Sequence, residues 1–185
     1  MFSARAAATA QAAHPEVGAS HYAEKTPPWV SKELVGLLPA TTLIPIRGPR
    51  DVFLSIVAYV ARRGHPSFGM QAEEPPLEFA RRFAPHQRQR LAEARRAERD
   101  GTATVVRYEG LVADLPGQAA RLGERLGLAL DPAAVQGPPR TPRPHVTSPS
   151  VKPSVGRWRR ELDPEVRAIF AEKLAAELAQ LGYEP

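Results

Sequence analysis

The sequence predicts an α/β protein in which a parallel sheet is flanked by helices, and three observations carry that prediction. Two β-branched runs, Thr42–Ile46 and Thr102–Tyr108, have the length of short buried strands. Between them lie an apolar-faced helix and a long crossover, which suits parallel pairing and excludes a tight hairpin. Helical periodicity resumes after the second run, so strands alternate with helices. At 185 residues the chain fits one ordinary domain with a core of its own.

Residues 1–20 read as a loose N-terminal segment, and residues 21–185 as the single domain. Ala23–Pro28 is a polar turn closed by prolines, and Val30, Leu34 and Leu37 then share one face of a short helix that Pro39 ends. After the first strand, Asp51–Arg63 carries Val52, Phe53, Ile56, Val57 and Val60 on a broad apolar face, and Gly64 and Pro66 stop it. Gly64–Pro76 reads as a loop and Leu77–Asp100 as a helix, whose alternating arginines and glutamates suit a solvated face with i,i+4 pairs. Past the second strand, Glu109-Gly110-Leu111 reads as a turn into a helix over Pro116–Leu126. Gly127–Lys152 is rich in proline and glycine, which makes residues 131–152 a flexible loop. The last helix has Asp163 as N-cap, Pro164 at its first position, a stripe of Val166, Ile169, Phe170, Leu174, Leu178 and Leu181, and Gly182 as its stop.

A net charge of +5 and a pI near 10.0 favour anionic partners without choosing among them. Without cysteine there is neither a disulfide nor a thiolate metal site. The histidines are scattered with no HxxxH or HxH spacing, so no metal is expected, and no G-x-S-x-G elbow marks a hydrolase. The most apolar stretch, Val52–Ala61, is about half the ~20 residues a membrane span needs. A soluble, cytoplasmic protein is the expectation, and the sequence carries no signal of oligomeric state.

Chemistry concentrates where the first strand meets the first long helix. Arg47 leaves the strand at the end where an open α/β sheet places its ligands, and Ser55 lies two turns into the helix. A guanidinium and a hydroxyl in that geometry can clamp a phosphate; equally, Arg47 can pair with Asp51 while Ser55 bonds a backbone carbonyl.

Four patterns follow one another along the chain: Glu24-Lys25-Thr26-Pro27, then Ile46-Arg47-x-Pro49-Arg50-Asp51-x-x-x-Ser55, then Val106-Arg107-Tyr108-Glu109-x-Leu111, then Ser154-Val155-Gly156-Arg157-Trp158-Arg159-x-Glu161-Leu162. In this order the chain resembles sulfotransferases that use 3'-phosphoadenosine 5'-phosphosulfate (PAPS), over residues 22–114 and 148–185. The resemblance implies a P-loop-kinase-like parallel sheet and transfer of a sulfuryl group from PAPS to a hydroxyl or amine acceptor. It assigns Arg47 and Ser55 to the 3'-phosphate of PAPS or of adenosine 3',5'-bisphosphate, and Tyr108 to the adenine. Lys152 and Arg157 would be available to the same phosphate, and Trp158 would cover the base. Lys25 would neutralise charge building on the bridging oxygen of the leaving phosphate.

Gly48 departs from the aspartate usual in that family between arginine and proline, which predicts a looser turn. The strand, glycine-rich turn and helix that hold the 5'-phosphosulfate in the family have no counterpart before Glu24, and no catalytic base can be assigned. The expectation is therefore a chain with the first strand-loop-helix missing, retaining nucleotide affinity with weak or no turnover. The alternative is a non-catalytic basic module for polyanions, nucleic acid or sulfated glycan; the interleaved charges of the arginine-rich helix make nucleic acid the less favoured partner.

Overall fold

A computed structural model describes residues 23, 25, 40–136 and 152–184. The chain divides into two compact units, residues 1–40 and 41–185. Of the first, Ala23, Lys25 and Ala40 are described, and all three are exposed. The helix expected over Val30–Leu37 lies outside the described residues.

The second unit begins with strand β1 (Leu43–Ile46), followed by helix α1 (Pro49–Arg63) and the long helix α2 (Pro76–Arg99). Strand β2 (Thr104–Arg107) runs directly into α3 (Tyr108–Ala113) and then α4 (Leu115–Leu126). A single turn, α5 (Ala133–Gln136), precedes residues 137–151, which lie outside the description. A 3-10 turn (Lys152–Ser154), the short α6 (Trp158–Glu161) and α7 (Pro164–Gln180) complete the unit.

β1 and β2 pair in parallel, from Leu43 opposite Thr104 to Ile46 opposite Arg107, so this is an α/β fold with a two-stranded parallel sheet flanked by helices. The register brings Arg47 and Tyr108, the residues following each strand, to the same edge. Both strands are shorter than the sequence runs. The second gives way at Tyr108 to α3, where a turn had been expected, because Tyr108, Leu111 and Val112 continue in a helix until Asp114. Asp114 then caps α4 by accepting from the Gly117 N–H at 2.9 Å. Within the expected flexible loop, residues 133–136 are helical.

The core is aromatic where α1, α2 and α7 meet. Phe53 lies 5.5 Å from Phe79 and 5.6 Å from Phe170 between ring centroids, and Phe83 joins both α2 and α7 partners. Such pairs add roughly 0.5–1.5 kcal/mol each beyond the area they bury. Val166, Phe170, Leu174 and Leu178 are the buried stripe of α7, as its periodicity predicts. The Asp163 carboxylate accepts from the N–H of Glu165 at 2.8 Å and of Val166 at 3.4 Å. On α2 the arginines face outward and reach across to α7, Arg88 meeting Glu177 at 2.9 Å, while along the helix the neutral amide of Gln89 donates to Glu93 one turn on.

Candidate functional site

The turn after β1 is the centre of the site. Pro49 at the first position of α1 supplies a fixed φ and needs no hydrogen-bond acceptor, while the Gly48 carbonyl accepts from the N–H groups of Asp51 and Val52, both at 3.0 Å. Arg47 is thereby held between a strand end and a helix start. Its Nη1 donates to Ser55 Oγ at 3.4 Å and its Nη2 to the Ser154 carbonyl at 2.6 Å. Ser55 in turn donates to the carbonyl of Asp51 at 2.9 Å, one helical turn back. The guanidinium also lies 4.8 Å from the Tyr108 ring centroid. Its Nε–H is buried and has no hydrogen-bond partner among the described residues.

The sequence left open an Arg47–Asp51 pair, and the geometry directs Asp51 elsewhere. Its carboxylate is buried and accepts from the backbone N–H of Gly156 at 2.6 Å and of Trp158 at 3.0 Å. This fastens the segment after the 3-10 turn onto α1. Tyr108 assists from the other strand, its hydroxyl lying 3.0 Å from Ser154 Oγ. Arg47, Ser55, Tyr108 and Ser154 therefore converge, although Ser154 lies 107 residues beyond Arg47.

The remaining candidates are placed differently. Trp158 is buried in the core with the Arg50 guanidinium 3.6 Å from its ring centroid, an anchoring arrangement that leaves the ring face covered. Arg157 is engaged with Glu161 at 2.6 Å across one turn of helix. The side chain of Lys152 lies outside the described residues, and Lys25 belongs to the other unit. Arg50 also donates to the Glu184 carbonyl, and burial pulls its pKa below the ordinary arginine value, an effect that Glu184 opposes.

Two participants were missed from sequence. Glu109 accepts from the Gly48 N–H at 2.7 Å, and Tyr183 donates to the other Glu109 oxygen at 2.9 Å. The turn expected to be loose is tied through both the N–H and the carbonyl of Gly48. A Cβ at residue 48 would sit 3.3 Å from that Glu109 oxygen and 3.5 Å from the Tyr183 ring, so the close approach favours glycine. Glu109 stood inside the Arg-Tyr-Glu pattern, but only the fold brings it to the turn.

Fold and corner together define an α/β protein with a cation and a hydroxyl presented where a parallel sheet places anionic ligands. The model of the sulfotransferase family matches residues 2–132, a span that contains β1, α1, α2 and β2, and the chain belongs to that family. No curated protein and no solved structure matches it. Among the described residues no helix is long and apolar enough to cross a membrane, and no cluster of metal-ligating side chains occurs.

Proposed function

We propose that the chain takes part in sulfuryl transfer from PAPS to a hydroxyl or amine, with Arg47 and Ser55 holding the 3'-phosphate of the nucleotide. The observation that carries this reading is the Arg47 guanidinium, fixed beside the Ser55 hydroxyl with a buried Nε–H that has no partner among the described residues. An orphaned cationic donor in a half-buried corner fits an anion, because leaving such a group unpaired costs about 1–3 kcal/mol. Ser55 would turn its hydroxyl from the Asp51 carbonyl toward the phosphate, and Tyr108, already at the clamp, would flank the adenine. Lys152 and Arg157 are further cations for the same phosphate. For Arg157 this means leaving Glu161, a pair in which the glutamate is exposed and the arginine mostly covered. Trp158 would reach the base only by giving up Arg50, so we assign it to anchoring the segment that carries Ser154.

When bound, PAPS supplies the activated sulfuryl group and a phosphate leaving group. Lys25 is the residue proposed to neutralise the leaving oxygen. Calorimetric titration with adenosine 3',5'-bisphosphate tests the reading: wild type should bind, and Arg47→Ala should weaken binding by at least about tenfold through the loss of a charge-assisted hydrogen bond. No binding at millimolar nucleotide, or equal binding by the variant, overturns it. A polyanion module would instead bind heparin with a steep salt dependence, indifferent to Arg47.

A further inference from the structure

We infer that Glu109, buttressed by Tyr183, is the positioning residue of the Arg47 clamp, fixing the Arg47–Gly48 peptide and with it the direction in which the guanidinium leaves the strand. Gly48 is held by both of its backbone polar groups. Its carbonyl, in the Gly48–Pro49 peptide, belongs to the first turn of α1, and its N–H, in the Arg47–Gly48 peptide, has the Glu109 carboxylate as acceptor at 2.7 Å. Glu109 sits two residues past the end of β2, so the hydrogen bond spans the mouth between the two parallel strands and sets their separation where the clamp opens.

A lone glutamate would be a soft support, since its side chain has several rotatable bonds. Here the second oxygen is fixed by the Tyr183 hydroxyl at 2.9 Å. Tyr183 is in turn placed by the end of α7. Gly182 adopts φ +68°, its N–H bonds the Ala179 carbonyl at 3.0 Å, and the Tyr183 N–H bonds the Leu178 carbonyl at 2.8 Å. These two bonds form the Schellman closure of a helix. Arg107 completes the strap: its guanidinium lies 4.3 Å from the Tyr183 ring centroid, and its Nη2 donates to the Gly182 carbonyl at 3.1 Å. Burial, followed by the Glu109 charge, pushes the Tyr183 phenol well above its ordinary range, so it remains a donor throughout the working pH range.

For phosphate binding this inference rests on the function proposed above; for the turn itself it stands on the hydrogen bonds alone. Charge and position make opposite predictions. A carboxylate near an anion site opposes anion binding, so if Glu109 were only a neighbouring charge, its removal would tighten nucleotide binding. If it positions the clamp, Glu109→Ala should weaken adenosine 3',5'-bisphosphate binding about tenfold, whereas Glu109→Gln, which keeps an acceptor for Gly48, should stay within about threefold of wild type. Tyr183→Phe should weaken binding about threefold without changing the fold. Each measurement is accompanied by hydrogen exchange at the Gly48 amide, which should quicken at least about tenfold in Glu109→Ala and not in Glu109→Gln. Unchanged or tighter nucleotide binding by Glu109→Ala overturns the positioning role, as does an unchanged Gly48 amide. If wild type binds no nucleotide, the phosphate reading fails by itself, and the Gly48 amide in Glu109→Gln and Glu109→Ala still decides whether the strap holds the turn.

Discussion

Asp51 is a carboxylate with 2% of its surface exposed, and such a group is tolerable only when its lone pairs are filled. Two backbone N–H groups fill them, at Gly156 and Trp158, 105 and 107 residues further on. Replacement by asparagine keeps the shape but turns one acceptor into a donor facing an N–H. Asp51→Asn should therefore cost about 2–3 kcal/mol, read as a lowered urea midpoint with an unchanged slope. In the sequence Asp51 is an acidic residue in the first turn of a helix beside two arginines, and spacing points only to a local partner. Arg47 and Ser55 were readable because both lie in one strand-turn-helix, where spacing fixes proximity. Asp51's true partners, and Glu109's hold on Gly48, depend on which distant segment folds onto that turn, and no periodicity encodes that.

At the scale of elements, helices announced themselves by their apolar faces. The α7 stripe and its Asp163 cap are local properties and were read correctly, as was α1 within two residues at its start. α2 was found even though Pro85 lies inside it. The proline removes an N–H that would bond the carbonyl of Arg81 and crowds that turn, a penalty of about 3 kcal/mol in a free helix. The helix survives because Phe79, Ala80, Phe83 and Ala84, in the turns just before the proline, are buried in one core cluster with residues of α1 and α7. Residue 85 itself is exposed, so the change to alanine meets no packing constraint. Pro85→Ala should stabilise the protein by about 1–2 kcal/mol, the restored hydrogen bond being partly offset by a freer unfolded chain, and calorimetry should show a higher Tm. Phe170→Ala should act in the opposite direction, and a Pro85→Ala variant no more stable than wild type would mean that the backbone shape the proline imposes is what the core requires. The short α3 was mistaken for a turn because Glu-Gly carries the composition of one, and six residues are too few for a period to assert itself.

Across the whole unit, the two strands are far apart in sequence, and what joins their mouths comes from the other end of the chain. Residues 182–184 supply a carbonyl to Arg107, a hydroxyl to Glu109, a carbonyl to Arg50 and a carboxylate to Arg159. Tyr183 and Glu109 are 74 residues apart, so in the sequence the terminal Leu-Gly-Tyr-Glu stands as the stop of a helix and as the end of the resemblance, with nothing to tie it to Glu109. Physically it is also a cross-brace, because three of its partners leave β2 or the first turns of α1 and α3. Ending the chain after Leu181 would leave Arg50, which is buried, without its carbonyl and Glu109 with one oxygen unbonded. The exposed Arg159–Glu184 pair should contribute little to the loss. The buried contacts should dominate, giving a destabilisation of about 2–4 kcal/mol in urea unfolding that is nearly insensitive to added salt. A loss that disappears in high salt would instead assign the brace to surface ion pairing. A loss below about 0.5 kcal/mol would show that the strand mouths are held together by the sheet and by the Ser154 segment without help from the end of α7.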